Sequence, residues 1–168
     1  YLFRGKVFDD TTVPGRFEKL KNAMAQSSYA EVQEKAAYTW FNRLMALKIL
    51  AQNGYETAQI DYLNPQSLTP AILERARRGT YPFLNATEQQ RLQPLLTDYQ
   101  KEAEAFGILL TGYCRQHPLV YAIFGGIDDY TELLLPDNIL AEDGMLNLLN
   151  TGEYIEPEDY KKVELIGW

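Results

Sequence analysis

The sequence predicts an all-α fold, an irregular helical bundle built around one long central helix at about 28–53. Three observations carry this expectation. Apolar residues recur three and four positions apart along most of the chain. Cap signals bracket those runs. Sustained polar–apolar alternation of the strand type is absent.

Taken in order, residues 1–15 hold Asp9-Asp10-Thr11-Thr12 and Pro14-Gly15, which read as turn and loop. Phe17, Leu20 and Met24 give a short amphipathic helix over 16–26. Ser28 with Glu31 three residues later forms a capping-box pattern. No Gly or Pro follows until Gly54, which stands where a left-handed cap is wanted. The helix so bounded would be about 39 Å long. Its middle places Ala37, Trp40, Phe41, Leu44, Leu47 and Leu50 on one broad face, and Tyr38, Met45 and Ile49 widen it. A helix apolar over most of its circumference belongs inside a bundle. Asn42 and Arg43 fall within that stretch and need partners if buried.

Thr69-Pro70 reads as an N-cap with proline at the first helical position, opening a helix over 71–78 that ends at Gly79. Thr87, with Gln90 as its capping-box partner, starts a third run through Leu92, Leu95, Leu96, Tyr99, Ala103 and Phe106. Shorter helical pieces follow at 116–124, 128–134 and 137–149. Glu156-Pro157 opens a last one that runs towards Trp168.

A chain of 168 residues supports one domain over 1–168, with 116–168 as a possible sub-lobe leading onward. The net charge of −7 is unevenly spread: residues 1–101 carry +3 and residues 102–168 carry −10. An acidic second part repels a phosphate backbone. Nucleic-acid contact would therefore fall to the first part, where Arg75, Arg77 and Arg78 are the densest basic cluster, though three arginines at a helix end also suit a solvated surface. One Cys and one His exclude an intrachain disulfide framework, paired-cysteine zinc and two-histidine metal sites. No apolar run is long enough to span a bilayer, and the start lacks the apolar core of a secretory signal, so a cytoplasmic setting is expected.

Further candidate chemistry is sparse. Gly125-Gly126 reads as a helix-ending turn rather than a phosphate loop. His117, before Pro118, reads as a capping or surface residue, and Cys114 as a small buried hydrophobe. Asp128-Asp129 suits an acidic N-cap better than a cation site. Glu156, Glu158 and Asp159 suit a helix's first turn. These residues by themselves specify no catalytic, cofactor or metal site.

Tyr38-Thr39-Trp40-Phe41-Asn42-Arg43-Leu44, continued to Asn53-Gly54-Tyr55, resembles a segment near the N-terminus of PglX-like adenine-specific DNA methyltransferases of BREX phage-defence systems. Glu132-Leu133-Leu134-Leu135-Pro136-Asp137-Asn138, Ile155 to Tyr160, and Val163-Glu164-Leu165-Ile166-Gly167-Trp168 match a later segment that leads towards the methyltransferase domain. The resemblance implies an N-terminal helical domain excised from a larger chain, with Tyr38, Trp40, Phe41, Asn42 and Leu44 as its structural motif. It also implies S-adenosylmethionine for the parent protein, duplex DNA as that protein's partner, and contacts with its own catalytic domain and with other phage-defence subunits. The family's glycine-rich cofactor motif and its Asn-Pro-Pro-Tyr tetrapeptide are absent from this sequence, so no catalytic residue carries over. Arg75, Arg77, Arg78 and Arg43 are the candidates for DNA contact; Trp40 and Arg43 suit an aromatic-plus-guanidinium contact, but the apolar face that carries Trp40 favours core and core-anchoring roles for both. An acidic helical module for binding other proteins is the alternative.

Overall fold

Ser28 and Glu31 form both halves of a capping box at the start of α2, Tyr29–Gln52, in the computed structural model. This structure describes residues 2–3, 6–7, 13–64, 66–126, 130–151, 155–156 and 158–162. At the far end of α2, Gly54 takes φ +73°. Its N–H donates to Ala51 O, and Tyr55 N–H donates to Leu50 O at 2.9 Å. These two bonds close the helix in a Schellman motif, which a residue with a Cβ adopts only with strain.

Before α2 lie a hairpin, β1 (Leu2–Phe3) and β2 (Lys6–Val7), and α1 (Val13–Gln26). The strands are antiparallel, with Leu2 opposite Val7 and Phe3 opposite Lys6. Among the described residues, the fold is all-α apart from this hairpin and an isolated bridge between Tyr62 and Pro70. Pro14-Gly15, expected as loop, falls in the first turn of α1, where proline's missing N–H costs no helical bond. The turn expected at 9–12 lies outside the described residues.

After α2 come α3 (Ala71–Arg77), α4 (Ala86–Leu95), α5 (Glu102–Gln116), α6 (Pro118–Phe124) and α7 (Met145–Thr151). Single 3-10 turns stand at Tyr99–Lys101, Thr131–Leu134 and Asp159–Lys161. Four expected boundaries move. Pro70, not Thr69, is the N-cap of α3, with no side-chain cap bond. The capping box of α4 is Asn85 with Glu88, two residues before the expected Thr87–Gln90 pair. The long run expected through Phe106 is broken at Leu96–Asp98, just after Pro94 removes a helical donor. Asp98 then accepts from Gln100 N–H and restarts the chain as a 3-10 turn leading into α5. The helix expected over 137–149 begins only at Met145.

Packing has two hubs. α5 lies against α3, α4 and α6, whereas α2 lies against α1, α6 and the 3-10 turns at Thr131–Leu134 and Asp159–Lys161. Trp40, Leu44, Leu47, Ile72, Phe106, Leu109, Ile139 and Tyr160 belong to one shared core. Along α2 the burial changes character. Its first half buries a narrow stripe of Val32, Ala36 and Trp40, leaving Ala37, Tyr38, Phe41 and Asn42 exposed. From Arg43 to Ile49 every residue is buried. The expectation that Ala37 and Phe41 face inward is thus corrected: the partners of the first half cover one side only.

Thr131, Glu132 and Tyr160 reach back to the first third of the chain. Trp40 Nε1 donates to Thr131 O at 3.0 Å, Arg16 pairs with Glu132 at 2.6 Å, and Asn53 Nδ2 donates to Tyr160 O at 3.0 Å. Gly144, just before α7, sits where an added Cβ would press on the carbonyl oxygens of Asn138, Ile139 and Ala141. Backbone cannot step aside as a side chain does. Gly144→Ala is expected to cost about 1–3 kcal/mol, read as a lower melting temperature. Gly107→Ala, whose Cβ would meet only Leu135 Cδ2 at 3.1 Å, should cost clearly less.

Candidate functional site

The best-defined polar arrangement clamps both ends of α6. Arg43 is buried on α2; its Nη1 donates to Thr39 O at 3.1 Å and its Nη2 to Phe124 O at 3.3 Å and Gly126 O at 3.5 Å. The guanidinium also lies over the Phe124 ring, 5.5 Å from its centroid. A cation here meets the partial negative charge of the last carbonyls of α6. Gly125 ends the helix, its N–H on Tyr121 O at 2.8 Å, as the Gly125-Gly126 pair suggests.

At the other end, His117 is the N-cap, with Nδ1 accepting from Val120 N–H at 3.3 Å. An accepting Nδ1 puts the ring proton on Nε2, assigned from the network, which donates to Glu56 Oε2 at 3.0 Å. Glu56 Oε1 in turn accepts from Thr57 N–H at 3.0 Å and from Thr57 Oγ1 at 3.3 Å. The Thr57 amide first, and His117 after it, hold the Glu56 carboxyl below its usual range despite the opposing effect of burial. The Tyr113 ring stands 5.4 Å from His117, and Phe83 packs edge-on to Tyr113 at 5.3 Å. Burial, with the Glu56 charge nearby, raises the Tyr113 phenol far above its ordinary value. His117 therefore caps as expected, but it is buried rather than on the surface.

A second buried node joins α2 to later segments. Lys48 Nζ reaches Asp61 Oδ1 and Asn150 Oδ1, both at 2.6 Å, and lies 5.6 Å over the Tyr160 ring. Gln52 Nε2 donates to the same Asp61 oxygen at 3.3 Å. Asn150 Nδ2 donates to Ile60 O and Leu146 O. Nothing in the local sequence marks this node. Lys48 is a lone cation in an apolar helix, and its partners lie 13 and 102 positions away.

The arginines expected to meet DNA are dispersed. Successive residues on a helix point about 100° apart, so a cluster in sequence need not be a cluster in space. Arg75 turns inward, its Nη2 donating to Ala58 O and, at 2.6 Å, to Gln59 Oε1. Arg77 pairs with Glu102 and lies 5.3 Å over the Tyr99 ring. Arg78 is 75% exposed, with Glu74 at 3.5 Å. Arg43 is corrected outright as a surface candidate, because its buried guanidinium holds α6. In the Tyr38–Leu44 run, Trp40, Arg43 and Leu44 point inward, and Tyr38, Phe41 and Asn42 are exposed.

The other candidates offer no reacting group. Cys114 is buried, which pushes its thiol up to about 12, so it is no nucleophile at neutral pH. Burial also raises the Glu132 carboxyl against the pull of Arg16. Arg115 and Glu88 form a further ion pair at 2.6 Å, between α5 and α4. A shallow cleft lined by Pro82, Phe83, Leu84, Asn85 and Gln116 has no titratable side chain in its wall. Among the described residues no group of three or more His, Cys, Asp or Glu is placed to hold a metal ion, and no helix is long and apolar enough to cross a membrane. Asp128-Asp129, Pro157 and Val163–Trp168 lie outside the described residues.

No family model matches this sequence, and no solved structure matches it. Adenine-specific methyltransferase BrxX of Escherichia coli O9:H4 (strain HS) is 34% identical over 161 residues, which make up 94% of this chain. The chain spans 13% of the length of that relative. Along almost its whole length, then, this chain is similar to part of an adenine-specific methyltransferase, the kinship that the Tyr38–Leu44 run implies.

Proposed function

We propose that this chain is an accessory helical domain of an S-adenosylmethionine-dependent, adenine-specific DNA methyltransferase of the BREX or restriction-modification kind, acting in the cytoplasm. The observation that supports it is the similarity to a small part of BrxX, 34% identical over 94% of this chain. In this reading the domain is catalytically silent, packs against the catalytic domain and supports one wall of the DNA channel. Methylating an adenine in duplex DNA requires flipping it out of the stack, at a cost of a few kcal/mol, so extra protein surface that grips the duplex has a physical role.

S-adenosylmethionine finds no cradle among the described residues. Among the described residues the strands are two residues long, and Gly125-Gly126 closes a helix rather than following a strand. The cofactor belongs to the parent protein in this reading, and so does every step of methyl transfer. Arg78 is the most exposed of the four arginines, and Arg77 is exposed while paired with Glu102; Arg43 and Arg75 serve internal contacts.

The test compares the full-length parent protein with a form lacking these 168 residues. Methyl incorporation into adenine and DNA affinity are followed at low and moderate salt. The full-length protein is expected to methylate, and the deletion to lose at least tenfold in DNA affinity while this chain alone transfers no methyl group. Transfer by the isolated chain, or a deletion with unchanged affinity and activity, would overturn the reading.

The alternative, an acidic module that docks other phage-defence subunits, draws support from the internal use of Arg43 and Arg75 and from the −10 charge of residues 102–168. A full-length protein that captures protein partners and never methylates DNA would favour it.

A further inference from the structure

We infer that the outer face of α6, formed by Leu119, Tyr121, Ala122 and Ile123, is a docking surface for the remainder of the parent polypeptide. The inference rests on the accessory-domain reading above and names the face that such a domain would use.

α6 meets the core through Val120 and through the half-buried Phe124. Val120 is its one buried side chain, while Leu119, Tyr121 and Ile123 are 50%, 53% and 55% exposed. Yet the helix is fixed at both ends by groups that are costly to bury. Arg43 loses most of its hydration to hold Phe124 O and Gly126 O, and His117 does the same to cap Val120 N–H while anchored on Glu56. Burying a guanidinium and an imidazole to orient a helix that gives the core one valine and part of Phe124 makes little sense for stability alone. It makes sense if the orientation of the outward residues matters, because a surface held rigid in advance loses less entropy on docking.

The chemistry of the face selects an apolar partner. From Gln116 to Gly126 the chain carries no Asp, Glu, Lys or Arg, in a protein with 39 such residues. Clustered exposed apolar side chains, one of them aromatic, are the composition of an interface centre. The occupant follows from the accessory-domain reading: the matched part is 13% of the relative, so in that reading the parent polypeptide supplies a much larger docking body. A tethered partner needs no high intrinsic affinity, which suits a face of only two helical turns.

The experiment uses the full-length parent protein. Hydroxyl-radical footprinting of Tyr121 is compared between the unmodified protein and the L119D/I123D double variant. Expected is a Tyr121 oxidation rate at least fivefold slower in the unmodified protein, independent of protein concentration, and released in the variant. L63D, which alters an exposed leucine elsewhere, should leave Tyr121 protected. Rapid oxidation of Tyr121 in the unmodified protein would overturn the inference, as would protection that vanishes on dilution, since the occupant would then be a second copy. The accessory-domain reading fails on different evidence, namely the activity and DNA affinity of the deletion form. Should the double variant not fold, the rate and concentration dependence in the unmodified protein still decide.

Discussion

Trp40→Ala is expected to lower the melting temperature by roughly 10–15 °C, from about 3–5 kcal/mol lost on truncating a buried tryptophan in a chain of this size. Trp40 is 0% exposed and sits beside Leu44, also 0% exposed, in the shared core. Its indole supplies volume to α2 and a donor to Thr131 O at 3.0 Å. The substitution removes both, leaving a cavity and a buried carbonyl without its donor. Trp40→Phe keeps most of the ring and should recover the larger share of the loss. Thermal unfolding followed by circular dichroism separates the two variants. An alanine variant that melts like the parent chain would place Trp40 outside the core.

Asp61→Ala is the second large effect. It leaves the Lys48 ammonium, with a side chain 7% exposed, to the neutral oxygen of Asn150. Removing one member of a buried ion pair costs about 3–5 kcal/mol, because the other charge stays desolvated. Lys48→Met combined with Asp61→Leu removes both charges and should restore most of the stability. Chemical denaturation of the two forms measures this directly. If the double variant is no more stable than Asp61→Ala, the cost lies in loop geometry around Asp61 and not in the stranded charge.

Legibility in the sequence followed the range of the forces involved. The ends of α2 were readable because Ser28, Glu31 and Gly54 act on backbone within a few residues of themselves. The start of α4 was misplaced because two capping-box patterns, Asn85–Glu88 and Thr87–Gln90, overlap within one turn, and local pattern alone does not choose between them. The inward side of α2 was read correctly at Trp40, Leu44 and Leu47 but wrongly at Ala37 and Phe41, for a different reason. Phe41 is hydrophobic and exposed while Arg43 and Lys48 are charged and buried, and the groups that make this tolerable come from Phe124, Gly126 and Asn150. Those partners are 81 to 102 positions away, beyond any local signal. The same applies to the arginines at 75–78, whose shared address in the sequence hides three directions on a helix. The likeness to a methyltransferase was readable from Tyr38–Leu44, where inward and outward residues together form the distinctive run.

The return of Thr131, Glu132 and Tyr160 onto α1 and α2 has a consequence for synthesis on the ribosome. Thr131 follows Trp40 by 91 positions. At roughly 5–20 residues per second, about 5–18 s pass before that carbonyl is even made. Through this interval the nascent α2 carries an indole with no permanent shelter. Chaperone capture of the half-made polypeptide would concentrate on that stretch.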